Sequence, residues 1–256
     1  MFFSREIMPI FLSLLAGLST ILGAFMVFFS KSKSKRLITF ALSFSAGVMV
    51  TISFTDLLPT ASDTLDKIYG KINGGLLSIL FLIIGVLIAF LIDNFIPDKG
   101  NISVKNDSAL FRVGLVSMIA LMLHNFPEGI ATYISGFQDT SLGITIALAI
   151  ALHNIPEGVA IAMPIYYSTN SRPKAFLYTF ISGISEPLGA LISYLFLKPF
   201  INDFILSIVF ALVAGIMIYI SFAELIPEAK SYNHNLIYII SLILGICIMP
   251  ISHIFL

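Results

Sequence analysis

Two short stretches of the chain are nearly the same: MLHNFPEGIA (122–131) and ALHNIPEGVA (151–160). Each stretch places a histidine, an asparagine and a glutamate inside an apolar run. In a helix, residues four positions apart lie about 40° apart around the axis and share one face. Two pairs of side chains then point the same way: His124 with Glu128, and His153 with Glu157. Each stretch therefore predicts a helix that presents an imidazole and a carboxylate together, with the amide of Asn125 or Asn154 on an adjacent sector.

The composition of the whole chain predicts an all-α integral membrane protein. Of its 256 residues, 58% are hydrophobic and only 11% are charged, whereas soluble domains carry about 25% charged residues. Eight apolar runs are long enough to cross a bilayer as helices, and they cover residues 8–29, 37–59, 75–96, 111–136, 141–166, 175–197, 203–226 and 236–256. Because the connections are short, we expect residues 1–256 to form a single transmembrane domain in a lipid bilayer.

The charges in the predicted loops indicate the topology. Eight spans place both termini on the same side of the membrane. With the termini outside, the inner loops carry ten Lys and Arg residues and the outer segments carry four. Since inner loops of membrane proteins are enriched in Lys and Arg, we place both termini outside. The formal net charge is zero and no basic cluster with interleaved aromatic residues occurs, so nucleic acid is not an expected partner.

A second pair of repeats supports a transporter. AGVMVTISFTDLLPTA (46–61) matches AGIMIYISFAELIPEA (214–229) at nine of 16 positions and aligns Asp56 with Glu224. These segments fall on predicted spans 2 and 7, and the two histidine motifs fall on spans 4 and 5. The members of each pair are an odd number of crossings apart, so they run in opposite directions. Inverted repeats around a site near the membrane midplane are typical of secondary transporters.

Carboxylates inside an apolar chain need partners. Five of them lie within or near the ends of predicted spans: Asp56, Glu128, Glu157, Glu186 and Glu224. The middle of the predicted spans holds no lysine or arginine, so the sequence offers no cationic partner. Because ionised groups are costly in the bilayer interior, we expect protons or bound cations to neutralise them. Imidazole with carboxylate suits zinc, and also ferrous iron or manganese.

Two other functions use the same residues. A membrane-embedded metal-dependent hydrolase would use the histidines and glutamates to activate a metal-bound water. However, the order His-Asn-x-Pro-Glu differs from the His-Glu-x-x-His of zinc proteases, where the glutamate lies between the ligands. A proton channel would use the carboxylates alone and would not need paired histidines.

With HNFPEG (124–129), HNIPEG (153–158) and EPLGA (186–190), the chain resembles the ZIP (Zrt/Irt-like) family of divalent metal transporters. It is most similar to prokaryotic members with a histidine motif on both helices 4 and 5. The resemblance implies import of divalent cations across the cell membrane into the cytoplasm through a two-metal centre, with no enzymatic activity and no resident cofactor. It also implies the ligands, with Glu128 and Glu157 bridging both metals: His124, Asn125, Glu128, His153, Asn154, Glu157 and Glu186.

Several points stay open at the level of sequence, among them the roles of Asp56 and Glu224. The order of preference among zinc, iron, manganese, cobalt and cadmium is not encoded in the ligand types. Met49 falls where some relatives have a further ligand on helix 2, and residues 97–110 lack the histidines that many members carry between helices 3 and 4. The sequence does not decide the oligomeric state, so a homodimer remains one of the arrangements to test.

Overall fold

The computed structural model describes residues 6–25, 34–95, 105–197 and 202–255, and the regular elements in these ranges are all helical. The predicted all-α fold is therefore confirmed. We number the long helices of the described ranges in chain order: α1 Ile7–Ala24, α2 Lys35–Tyr69, α3 Lys71–Phe95, α4 Lys105–Gln138, α5 Thr140–Thr169, α6 Arg172–Phe196, α7 Asp203–Ser231 and α8 Asn235–Phe255. Residues 26–29 of the first predicted run and residues 97–104 of the predicted loop lie outside the described ranges.

The helices agree with a membrane protein. Among the described residues, α1 to α7 are long and apolar enough to cross a bilayer, and α8 contributes a shorter apolar stretch, Asn235–Ile248. The two histidine motifs lie in the interiors of α4 and α5, which continue through Pro127 and Pro156. Seven candidate spans are thus established by length and composition.

Two helices extend past the ends predicted from the apolar runs. The second run ends at residue 59, but α2 continues to Tyr69; the seventh ends at residue 226, but α7 continues to Ser231. In each helix a wide π-helical turn, Ser53–Leu57 or Ile220–Leu225, lies just before a proline. Such turns shift the hydrogen-bond pattern locally, so the helix accommodates a residue that cannot donate an N–H. Hydropathy marks the lipid-facing part of a helix and not its polar extension.

The helices form two groups of four. In the first group α4 and α5 pack along each other, α1 packs on α5, and α6 packs on α4. In the second group α2 packs on α8, and α3 packs on α7. The groups meet where α2 contacts α5 and where α7 contacts α4. The first group holds both histidine motifs, so the candidate site lies within it.

Matched close approaches relate the helices of the first group. A Cβ added to Gly158 of α5 would overlap the carbonyl of Thr20 in α1, and a Cβ added to Gly129 of α4 would overlap the carbonyl of Glu186 in α6. Gly129 and Gly158 occupy the same position in their motifs. The α1–α5 contact is therefore the counterpart of the α4–α6 contact.

The second group shows the same relation. A Cβ on Gly47 of α2 would overlap the carbonyl of Leu242 in α8, and a Cβ on Gly215 of α7 would overlap the carbonyl of Leu82 in α3. Gly47 and Gly215 are equivalent positions of the longer repeat. The α2–α8 contact is therefore the counterpart of the α7–α3 contact. In the repeat, α2 corresponds to α7 and α8 corresponds to α3, as expected for a chain built from two similar halves.

The structure also reveals a third repeat, which was not predicted from the sequence. AGLSTILGA (16–24) in α1 matches SGISEPLGA (182–190) in α6 at five of nine positions, which aligns Thr20 with Glu186. The environments of Thr20 and Glu186 match as well. The Cβ atom of Glu186 faces Gly17 of α1, and the Cβ atom of Thr20 faces Gly183 of α6. The shared Leu-Gly-Ala at the end of each segment was the available signal.

We predict that Gly215→Ala destabilises the protein, because the new methyl group would collide with the α3 backbone. Overpacking of this kind costs about 1–3 kcal/mol. Gly75→Ala in α3 is the matched control, since nothing lies within 4 Å of a Cβ at that position, and alanine favours the helix by about 0.5–1 kcal/mol. Thermal unfolding of the purified protein in detergent should show a lower Tm for Gly215→Ala only. Equal Tm values for the two variants would contradict the close α3–α7 packing.

Candidate metal centre

The seven predicted ligands come together in the interior of the first group of helices. All are buried, with at most 6% of any of them exposed. Three come from α4, three from α5 and one from α6: His124, Asn125, Glu128, His153, Asn154, Glu157 and Glu186. The two motifs therefore face each other across the α4–α5 contact.

Glu128 lies between the two histidines. Its Oε1 atom is 2.8 Å from Nε2 of His153 and 3.2 Å from Nε2 of His124. Nε2 of His124 is also 3.3 Å from Oε1 of Glu157, so this histidine lies between the two glutamates. One ligand atom each from His124, Glu128 and His153 lies within 4.8 Å of the other two. Such a cluster has the size and the donor types of a metal site.

Asn154 links this cluster to Glu186. Its Nδ2 atom donates to Oε2 of Glu186 at 2.8 Å and to the carbonyl of Ala16 at 3.0 Å. Glu186 reaches the cluster from the first turn of Ser185–Ile192, the helical segment that follows a break in α6 at Ile184. The asparagine thus fixes a third carboxylate beside the two motifs.

Asn125 has a similar relation to Glu157. Its amide is best satisfied when its nitrogen donates to Oε2 of Glu157 at 3.3 Å and to the carbonyl of Leu121 at 3.0 Å. The amide oxygen then points away from these acceptors. Each asparagine of the repeated motif therefore contacts one carboxylate of the cluster.

Several buried nitrogen and oxygen atoms of the cluster have no hydrogen-bond partner in the protein. They are Nδ1 and Nε2 of His124, Oε2 of Glu128, Oδ1 of Asn154, Oε1 of Glu157 and Oε1 of Glu186. Nε2 of His124 is near two carboxylate oxygens but not aligned with them for a hydrogen bond. Unpaired buried polar atoms cost free energy. No Lys or Arg of the described residues forms an ion pair with the three glutamates, and a divalent cation would supply the missing partner.

A cavity of about 340 Å³ leads to the cluster. Glu128 and His153 line it, together with Asp56 and Thr60 of α2 and Ser135 of α4. Thr60 is exposed and His153 is buried, so the cavity joins the surface to the ligands. Asp56, whose role the sequence left open, therefore lies on a route to the site.

Glu224 lies apart from the cluster, and one expectation about it was wrong. Its Oε1 atom is 3.4 Å from Nη1 of Arg112, so the chain does supply a cationic partner for this carboxylate. Arg112 is the second residue of the apolar run 111–136 and was counted among the ten cationic residues of the inner loops. Asp93, a carboxylate inside the run 75–96 that was not among the five expected carboxylates, also pairs with Arg112. Met49 is fully buried in the apolar core.

These features define a multi-pass membrane protein with a buried imidazole–carboxylate cluster. The family described as "ZIP Zinc transporter" matches residues 99–252, and the chain belongs to this family. The chain is 44% identical over 249 residues to the zinc transporter ZupT of Streptococcus mutans, covering 94% of both proteins. It is 40% identical to the ZupT of Clostridium perfringens, with 97% of this chain and 96% of that protein covered.

The ZupT of Campylobacter jejuni is 41% identical, with 98% of this chain and 97% of that protein covered. Such matches over nearly the full length make this chain a multi-pass transporter of the cell membrane and not an enzyme. They give no support to the hydrolase alternative.

We predict that Asn154→Asp lowers the stability of the metal-free protein and increases its stabilisation by zinc. The aspartate would lose both donated hydrogen bonds and place a second carboxylate beside Glu186, at a cost of about 1–3 kcal/mol. A bound cation would gain a charged ligand, and ligand binding stabilises the folded state. The measurement is the Tm in detergent with a chelator and with zinc.

Asn154→Ala is the matched control for this change. It removes the same hydrogen bonds without adding charge. Its Tm should therefore fall in chelator, and zinc should raise its Tm no more than it raises the Tm of the wild type. If zinc raises the Tm of Asn154→Asp no more than that of Asn154→Ala, residue 154 does not face the metal.

Proposed function

We propose that this protein imports divalent cations, zinc foremost, across the cell membrane into the cytoplasm. The observation that carries the proposal is the buried cluster itself: the three glutamates and His124 carry buried polar atoms without a hydrogen-bond partner in the protein, and no Lys or Arg of the described residues forms an ion pair with these glutamates. A cavity from the surface reaches two of them, Glu128 and His153. The relatives are named zinc transporters, which makes zinc the first substrate to test.

The proposed site holds two metal ions between α4, α5 and α6. His124, Asn125 and Glu128 would serve with His153, Asn154, Glu157 and Glu186, and Glu128 and Glu157 would bridge both ions. The short distances from His124 to both of these glutamates support this arrangement. Three ionised carboxylates offset most of the charge of two divalent ions. Ferrous iron and manganese accept the same donor atoms and are proposed as further substrates.

The proposed topology has eight spans with both termini outside. The length of α8, 21 residues, supports an eighth crossing, since about 20 residues span the hydrocarbon core. α2 then runs outward, which assigns Asp56 and the cavity to the outer surface. The cation would enter beside Asp56, bind at the cluster and leave at the opposite, inner end.

We predict that Glu157→Ala abolishes zinc uptake, whereas His124→Ala weakens it. A bridging carboxylate supports two ions, but the histidine supports one. The measurement is the initial rate of uptake into liposomes that contain the purified protein and a zinc-sensitive dye, with ferrous iron and manganese as competitors. Wild-type uptake by correctly folded Glu157→Ala would refute the proposed site, and a lack of zinc uptake by the wild type would refute the proposed function.

We predict that Asp56→Asn weakens uptake mainly at low external zinc. A carboxylate at the mouth of a cavity raises the local cation concentration, so its loss should raise KM and leave the maximal rate nearly unchanged. Thr60→Val, which removes a neutral polar group from the same lining, is the control and should leave KM close to the wild-type value. A fall in the maximal rate of Asp56→Asn without a change in KM would contradict an entry role.

A further inference from the structure

Arg112 of α4 forms ion pairs with two carboxylates from other helices. Its Nη2 atom contacts the carboxylate of Asp93 in α3, and also donates to the Asp93 carbonyl at 2.8 Å. Its Nη1 atom is 3.4 Å from Oε1 of Glu224 in α7. The hydroxyl of Tyr219 donates to Oδ2 of Asp93 at 2.9 Å and completes the network. The side chains of Asp93 and Glu224 are only 13% and 7% exposed.

These ion pairs join the two groups of helices. α4 belongs to the group that carries the metal ligands, whereas α3 and α7 belong to the second group. Arg112 precedes His124 by 12 residues, which is about 18 Å along a helix. The network therefore ties the helix of the ligands to the other group at one end of the bundle, well away from the ligands themselves.

The two ends of the bundle differ at equivalent carboxylates. Asp56 and Glu224 occupy the same position of the repeat, and each lies in a π-helical turn. Asp56 lines the cavity that reaches the ligands. Glu224 is instead buried and paired with Arg112. The backbone is thus alike at the two ends of the bundle. At the end of Asp56 a cavity leads to the ligands, whereas at the end of Glu224 an ion pair joins α4 and α7.

We propose that Arg112 is the gating residue of the inner end. Its ion pairs with Asp93 and Glu224 hold the inner route closed while the outer cavity is open, and they separate when the cation is released. The sides of the membrane in this inference rest on the proposed function, but the gate itself does not depend on which end faces the cytoplasm. Removing one partner of a buried pair leaves the other uncompensated, so loss of the arginine should favour the state in which these carboxylates reach water.

The test uses two reporter cysteines on α4 in a Cys247→Ser background. Ser117→Cys places a thiol two turns before His124, on the face of α4 that carries the ligands; Ser117 is fully buried and its hydroxyl has no hydrogen-bond partner. Ser135→Cys places a thiol in the lining of the outer cavity. Both changes are nearly isosteric. The rate of modification by a membrane-impermeant thiol reagent is measured in vesicles of each orientation.

Arg112→Gln should raise the rate at position 117 from the inner side about tenfold, and lower the rate at position 135 from the outer side, because the population moves from one state to the other. Arg112→Lys keeps a positive charge without the planar fork and should change both rates less. An unchanged rate at position 117 would overturn the proposal. A rise at both positions would also overturn it, because that result indicates general loosening.

A charge exchange tests the pairing itself. Arg112→Glu combined with Glu224→Arg should restore slow modification at position 117, whereas each single change should not. If the double variant is modified as fast as the single variants, the ion pair is not the gate. Zinc uptake by the wild type is measured in parallel. If the wild type takes up no zinc but Arg112→Gln still changes the modification rates at positions 117 and 135 in opposite directions, the gate stands without the proposed function. If these changes occur from the opposite sides of the membrane, only the proposed topology is reversed.

Discussion

The free energy of burying carboxylates in an apolar bundle is the constraint on which the rest of this structure depends. Three glutamates lie at the centre of the first group of helices, almost wholly removed from solvent. Placing an ionised carboxylate in such surroundings is costly unless a positive partner is close. His153 and Asn154 satisfy part of this requirement through hydrogen bonds, and other polar atoms of the three glutamates have no hydrogen-bond partner in the protein. In the proposed function, a bound cation would complete this interior.

The duplicated architecture follows from how closely the helices approach. Glycines at equivalent positions let one backbone contact another, and the same contact recurs in both halves. Two of these glycines, Gly129 and Gly158, come directly after Glu128 and Glu157. The residues that permit close packing are thus adjacent in sequence to the carboxylates of the cluster. This arrangement explains how two copies of a six-residue motif specify both a helix interface and a buried polar cluster.

The sequence predicted the helices and the cluster because both depend on local pattern. Apolar runs marked the spans, and the four-residue spacing of His124 and Glu128 placed them on one face. The extensions of α2 and α7 were missed because polar helical turns beyond the membrane carry no hydropathy signal. The Arg112 network was missed because it depends on three helices meeting in space, and Arg112 stands at the edge of its apolar run. The α1–α6 repeat was missed because only five of its nine positions match.

One position at which the cluster departs from the repeat bears on how long a cation would stay bound at the proposed site. Glu186 contributes a carboxylate from α6, but the equivalent residue of α1 is Thr20. A fully duplicated centre would therefore hold four acidic groups instead of three. Each tenfold gain in affinity corresponds to about 1.4 kcal/mol, and such gains mostly slow dissociation. At the proposed site, the threonine would therefore keep the affinity below that of a fully duplicated centre and shorten the residence time of the ion.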